Sequence, residues 1–141
     1  MLERILIVCV GNVCRSPMGE VMLRTALPRK RVCSAGIAAL VGRPADASAV
    51  QLMAERGLDL SSHRARQLDE GMLTQSDLVM TMDTGQVEWI ESRWPQAKGR
   101  IYRWGHWSHF DIPDPYRADI AEFRGALELI DRGLEDWLGR L

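Results

Sequence analysis

Apolar residues along this chain keep two alternating rhythms. Short runs at 4–8, 32–37, 78–82 and 100–104 are β-branched or apolar and bounded by glycine, proline or charge, as buried strands are. Between them the apolar positions recur at helical spacing. Met18, Val21, Met22, Thr25 and Ala26 form one face up to Pro28, and Ala49, Val50, Met53 and Ala54 another, with Asp46 as N-cap and Gly57 as closing residue. Val87, Ile90 and Trp94 follow an N-cap at Asp83 and stop at Pro95; from about Asp119 a long stripe runs through Ile120, Phe123, Leu127, Ile130, Leu134, Trp137 and Leu141. Strand and helix in alternation predict an α/β fold: a single doubly wound domain, a four-stranded parallel sheet with helices on both faces. The 100–104 run alternates, so one of its faces is less buried and it belongs at a sheet edge. Residues 58–67 and 105–116 lack periodicity and read as loops.

Composition adds mainly exclusions. At 141 residues and 46% hydrophobic, the chain suits one domain over 1–141 with a full core and no linker. A net charge of −1 argues against nucleic acid as a partner. No apolar run approaches the ~20 residues that span a bilayer, and Met1-Leu2-Glu3-Arg4 leads into a strand, so the expected protein is cytoplasmic and not embedded in a membrane. Three cysteines, at 9, 14 and 33, fit neither a disulfide framework nor paired zinc-ligand spacing; reactive or buried thiols in a reducing compartment are expected, with Cys33 in the core. Arg29-Lys30-Arg31 reads as a solvated turn, a docking patch being its other reading.

The chemistry gathers at Cys9-Val10-Gly11-Asn12-Val13-Cys14-Arg15-Ser16, between the first strand and a helix opened by Pro17. Small and β-branched residues there can turn the N–H groups of Val10, Gly11, Asn12, Val13, Cys14 and Arg15 around a tetrahedral anion, with the helix dipole adding positive potential. A thiol at the base of such a nest, beside an arginine, should ionise, so nucleophile and phosphate cradle are one loop. Two later loops carry further candidates. His63 could be a base, a metal ligand or a histidine bonded to backbone, and Asp114, between Pro113 and Pro115, is restricted to a defined position. His106 and His109 lack a further convergent ligand, so no metal is expected there.

With these residues in view, the chain resembles the low-molecular-weight protein tyrosine phosphatases. Val8-Cys9-Val10-Gly11-Asn12-Val13-Cys14-Arg15-Ser16-Pro17 is similar to their V-C-x-G-N-x-C-R-S-P signature, Ser62-His63-Arg64-Ala65-Arg66-Gln67 to their histidine segment, and Asp114-Pro115-Tyr116 to their D-P-Y/F. The resemblance implies Cys9 as nucleophile, Arg15 as phosphate clamp and Asp114 as general acid and then base. It further implies Ser16 as hydrogen-bond donor to the Cys9 sulfur and His63 as support for the loop through its Asn and Ser, with no cofactor. Where many relatives carry an aromatic residue in the variable loop, this chain has Ala39-Leu40. An aliphatic pocket wall at Leu40 is expected, with Tyr116 the nearest aromatic.

Gly105-His106-Trp107 and the residues 112–117 look most like the bacterial subgroup associated with exopolysaccharide or capsule tyrosine kinases. The implied partner is a phosphotyrosine protein, the tyrosine-rich tail of such a kinase. Two alternatives share a cysteine loop. An arsenate reductase would need two further cysteines after the third strand, where this chain has none; a phosphocysteine carrier would leave Asp114 unexplained.

Overall fold

A computed structural model describes residues 2–141. Its parallel sheet has the order β2-β1-β3-β4, built from β1 (Arg4–Cys9), β2 (Arg31–Gly36), β3 (Leu78–Thr81) and β4 (Ile101–Arg103). β1 lies inside the sheet, pairing Cys9 with Gly36 on one side and Val8 with Thr81 on the other. That explains why it is apolar from Ile5 onward: both faces and both edges are covered. β4 is an edge, as its weaker pattern predicts. All four strands end on one side of the molecule, where open α/β sheets bind ligands.

Alternation along β1 divides the core in two. Ile5, Ile7 and Cys9 face α1 (Arg15–Ala26), α2 (Ala47–Glu55) and α5 (Ile120–Leu138), while Leu6 and Val8 face α3 (Glu70–Gln75) and α4 (Thr84–Arg93). Each fully buried Ile, Leu or Phe in these layers contributes about 1.5–3 kcal/mol through removal from water. Asp46, Asp83 and Asp119 are N-caps, accepting from Ser48 N, Gln86 N and Glu122 N. Gly57 closes α2 with φ 74 and donates its N–H to Ala54 O. No helix among the described residues is long and apolar enough to cross a membrane.

Several expectations need correction. Thr25 and Ala26 are exposed, and the last buried residue of α1 is Leu23, because the helix rolls away from the sheet before Pro28. In α2 the buried stripe is Ala49, Leu52 and Met53, leaving Ala54 exposed. The short helix α3 has no periodic signal; its mark in the chain is the N-cap Asp69, which accepts from Met72 N at 2.9 Å. Cys33 is only half-buried, because β2 is the other edge of the sheet.

Trp104, fully buried, joins β4 to α5: its indole donates to Ile130 O, and Trp137 donates to Trp104 O, both at 2.9 Å. Gly133 makes room for this ring, since a Cβ there would stand 2.3 Å from the Trp104 Cδ1 atom.

Candidate active site

The loop from Cys9 to Arg15 is turned inside out relative to ordinary chain. Its carbonyls all point to the scaffold: Cys9 O accepts from Ile37 N, Val10 O from Ala38 N, Gly11 O from Leu40 N and Val13 O from Asp46 N, at 2.8–3.0 Å. Asn12 O accepts from His63 Nε2 at 2.7 Å, and Cys14 O from Met18 N at 3.4 Å. Among the described residues, no N–H group from Val10 through Arg15 donates to another backbone carbonyl. They converge instead as a nest of donors at the start of α1, whose N-cap, Cys14, makes no side-chain cap bond. Gly36 allows the tight approach on which this depends; its absent Cβ would lie 2.3 Å from Val10 O and 3.0 Å from Asn12 N.

Asn12 holds the turn. Its φ of 60 lies in the left-handed region that Asn tolerates better than most residues, and its fully buried amide is saturated. Nδ2 donates to Ser16 Oγ (2.8 Å) and Ser34 Oγ (3.0 Å), and Oδ1 accepts from Arg66 N (3.0 Å). Since Ser16 Oγ already accepts from Asn12, its proton is directed at Cys9 Sγ, 2.9 Å away. Ser34 in turn donates to Glu20, which also pairs with Arg24 and stands 4.0 Å from His63 Nδ1. His63 therefore differs in detail from the expectation. It holds the Asn12 carbonyl, and the serine contacts are made by the Asn12 amide.

Arg15, 2% exposed, is clamped from outside the cavity. Nη1 donates to Ile112 O at 2.7 Å and stands 3.6 Å from Asp83 Oδ2, while Nη2 stands 3.5 Å from Asp114 Oδ2. Its Nε is buried without a partner. A buried charged donor left unpaired costs free energy of order 1–3 kcal/mol or more, which an incoming oxyanion would relieve. Asp114 is partly exposed at the rim, its Oδ1 accepting from Tyr116 N at 3.1 Å.

These groups enclose a cavity of about 110 Å³ lined by the loop from Cys9 to Arg15 without Asn12, and by Ala38, Leu40, Asp114 and Tyr116. That is space on the order of four water-sized groups, suited to a phosphoryl group and its oxygens. Larger hollows of about 350 and 430 Å³ lie elsewhere, along β2. Leu40 forms an aliphatic wall and Tyr116 the nearest aromatic one, with the Arg117 guanidinium 5.4 Å over its ring. Cys14 shares the cavity but is a different kind of thiol from one poised to ionise: burial pushes its pKa far up, Asp46 and Asp114 add to that, and Arg15 only partly opposes it.

His106 and His109 stand apart from this cavity. His106 lies edge-on to Tyr102 and Trp107 and beside Trp137, and burial, with Arg103, His109 and Arg140, lowers its pKa. No group of three His, Cys, Asp or Glu suited to a metal ion exists among the described residues. Sequence reasoning missed Glu20, Ser34 and the Arg66 amide, which carry no local signal. Asp83 was legible as a helix cap, but its approach to Arg15 was not.

Comparison with known proteins agrees with this geometry. The family model for the low molecular weight phosphotyrosine protein phosphatases matches residues 4–141. EpsP of Ralstonia nicotianae is 48% identical over all of this chain and 97% of its own length. The low molecular weight protein-tyrosine-phosphatase Wzb of Escherichia coli K12 is 39% identical over 97% of this chain and 94% of its own. The structure of Vibrio vulnificus Wzb in complex with benzylphosphonate superposes with a TM-score of 0.96 at 41% identity, covering both chains in full.

Proposed function

The chain belongs to the low molecular weight phosphotyrosine protein phosphatases and is a protein-tyrosine-phosphatase of the Wzb/EpsP type, and from that premise we propose residue roles and a physiological substrate. Cys9 Sγ attacks phosphorus in line as a thiolate; the S–P bond forms as the bond to the tyrosine oxygen breaks. Asp114 gives its proton to that oxygen, so tyrosine leaves neutral. Arg15 and the N–H groups of Val10, Gly11, Asn12, Val13, Cys14 and Arg15 bind the equatorial oxygens and stabilise their charge in the transition state. In the second step Asp114 takes a proton from water, water oxygen bonds to phosphorus, and the Cys9 thiolate departs, eased by the Ser16 hydroxyl. His63 supports the loop through Asn12, and Leu40 and Tyr116 flank the phenyl ring.

The strongest support is the orientation of the loop backbone, every carbonyl from Cys9 to Cys14 held outward, together with the unpartnered Nε of Arg15. In the absence of substrate Asp114 leans on Arg15; a phosphoryl dianion would take Arg15 over and free Asp114 for the leaving oxygen. The narrow cavity also favours tyrosine, whose length carries phosphorus to Cys9 while the peptide stays outside. Vibrio vulnificus Wzb, similar to this chain over its full length, forms a complex with benzylphosphonate.

The substrate we propose is the tyrosine-rich tail of a bacterial tyrosine kinase of polysaccharide synthesis, dephosphorylated in the cytoplasm, where reducing conditions keep Cys9 a thiol. Support comes from the whole-length likeness to EpsP and Wzb. The test is turnover of phosphotyrosine and phosphoserine peptides and of such a kinase tail by wild type and Cys9→Ser. Phosphotyrosine alone should be hydrolysed, and Cys9→Ser should bind phosphate analogues without turnover. Comparable rates on phosphoserine would overturn the tyrosine preference; an untouched kinase tail would remove the partner and leave the enzyme.

A further inference from the structure

The open edge of β2 offers hydrogen-bond donors and almost no acceptors. Arg31 N donates inward to Glu3 O, and Gly36 faces outward, donating to Arg66 O and accepting from Leu68 N. Alternation along a parallel ladder therefore turns Val32 and Ser34 outward. Their carbonyls are occupied: Arg24 Nη2 donates to Val32 O at 3.5 Å and Arg66 Nε to Ser34 O at 2.9 Å. What remains along the edge is N–H groups and guanidinium. An added strand would need donors and acceptors in alternation and cannot pair here. An anion can.

A groove of about 430 Å³ lies against this edge, rimmed by Arg4, Arg24, Lys30, Arg31 and Arg66 with no carboxylate in its lining. Lys30 and Arg31 belong to the basic triplet that the phosphatase chemistry leaves unused. Arg24 is paired with Glu20 and Arg4 lies within the field of the Asp77 carboxylate, so among the described residues the rim charge without a carboxylate partner is that of Lys30, Arg31 and Arg66. Toward the catalytic mouth the adjoining hollow is mixed, with Arg64 and Arg66 beside Glu20 and Asp59. Arg64 follows Arg66 across Ala65, and Ala65 exchanges main-chain bonds of 2.8 Å with Gly42 and Arg43, beside Leu40 in the cavity wall. From Arg4 to Cys9 along β1 is five residues, about 17 Å at the usual strand rise, a distance that an extended peptide covers in as many residues.

We propose that this groove holds an acidic segment of the same phosphoprotein whose phosphotyrosine occupies the catalytic cavity, lying roughly five to eight residues from it. The proposal rests on the phosphoprotein substrate put forward above. A peptide anchored in the catalytic cavity can lay several carboxylates along the groove at once, whereas one small anion would engage only two or three of its rim cations. A bilayer would meet the rim and fail to reach the Val32 N–H group at the strand. Because the catalytic cavity is small and its wall at Leu40 aliphatic, much of the discrimination among phosphotyrosine sites would come from this second contact, which tethering makes effective even when it is weak alone.

The experiment compares a phosphotyrosine peptide carrying a glutamate cluster five to eight residues away with the same peptide carrying glutamine there. For wild type the acidic peptide should show a KM lower by about threefold to tenfold at unchanged kcat, the scale of a few solvent-exposed charge contacts. The Arg4→Gln/Arg31→Gln variant should lose that advantage and still hydrolyse p-nitrophenyl phosphate like wild type. In parallel, a hexaglutamate peptide should shift the Val32 amide resonance of wild type and not that of the variant. Equal KM values for the two peptides, with both turned over, would overturn the groove and leave the phosphatase reading intact. An undisturbed Val32 amide would overturn the groove even if no phosphopeptide were hydrolysed, a result that would by itself sink the substrate reading. Binding of the wild type to phosphatidylglycerol vesicles that the variant loses, without any peptide effect, would assign the surface to a membrane instead.

Discussion

Gly36→Ala should disable the phosphate loop while leaving most of the fold in place. Gly36 ends β2 directly beneath the loop, and a Cβ there would sit 2.3 Å from Val10 O, where ordinary contact begins at 3.4 Å. The two atoms must part by about 1.1 Å. The obstacle is backbone on both sides, so no flexible side chain can absorb the shift. β2 is held by its ladder to β1, whereas the loop hangs on single hydrogen bonds from Ala38, Leu40, His63 and Asp46, and the loop should therefore give way. A displacement near 1 Å in a group that positions reacting atoms costs roughly 10²-fold in rate, and the steric strain should lower stability by about 1–3 kcal/mol. The assay is kcat/KM on p-nitrophenyl phosphate, with circular dichroism and thermal melting on the same preparations. Two other glycines separate loop geometry from general damage. In Gly133→Ala the new Cβ meets the buried Trp104 ring at 2.3 Å, so stability should fall with activity per folded molecule retained. In Gly125→Ala the Cβ meets nothing within 4 Å on an exposed face of α5, so activity should be unchanged and stability should rise by up to about 1 kcal/mol. Folded Gly36→Ala with kcat/KM within twofold of wild type would refute the dependence of catalysis on this close approach.

Three further outcomes are expected. Asp114→Asn should reduce kcat/KM on the order of 10²- to 10⁴-fold with a tyrosine-like leaving group and progressively less as the phenol becomes more acidic; a loss independent of phenol pKa would remove Asp114 as the acid. Asn12→Ala should cost on the order of 3 kcal/mol, since it leaves the Arg66 amide unpaired, removes the donor to Ser16 Oγ and Ser34 Oγ, and keeps a side chain at positive φ; Asn12→Gly, which relieves only the last fault, should recover well under half in a chemical denaturation series. The carboxylate of Asp77 accepts the N–H groups of Arg4 and Glu3, which lowers its pKa, so its stabilising effect is complete above the ordinary aspartate value of about 3.9 and fades as pH falls through the depressed one. Asp77→Asn should therefore melt below wild type at pH 7 and draw level with it toward pH 2, and a gap unchanged across that range would count against the linkage.

The chain's periodicities were enough to write down the class of the fold, and local chemistry enough to find most of the candidate site. β1 is legible because both its faces are buried, and α5 because its stripe survives over 19 residues. Cys9 and Arg15 were legible because they bracket turn-forming residues, Gly and Asn, between a strand and a helix opened by Pro17; Asp114 is held by its paired prolines, but its role as acid came from the family resemblance. α3 was not, since a helix of 6 residues has too few turns to show a period. Nor was the exposure of Cys33, because an apolar run does not reveal whether its strand lies inside a sheet or at its rim.

What the sequence determined by itself, then, is what depends on near neighbours in the chain: strand, turn and helix start from Arg4 to Ser16, the caps at Asp46, Asp83 and Asp119, and the kinds of group available for chemistry. Tertiary structure alone decided how those groups are held. Ser34 and Arg66 reach Asn12 from 22 and 54 residues away, and Ile112 O reaches Arg15 from 97. The register of β2 on β1 sets Gly36 under Val10, and the order of strands leaves a basic edge open at one side. These are relations between segments brought together only when the sheet forms, and hydrogen bonds and close contacts depend on distances in space that no local pattern of residues encodes.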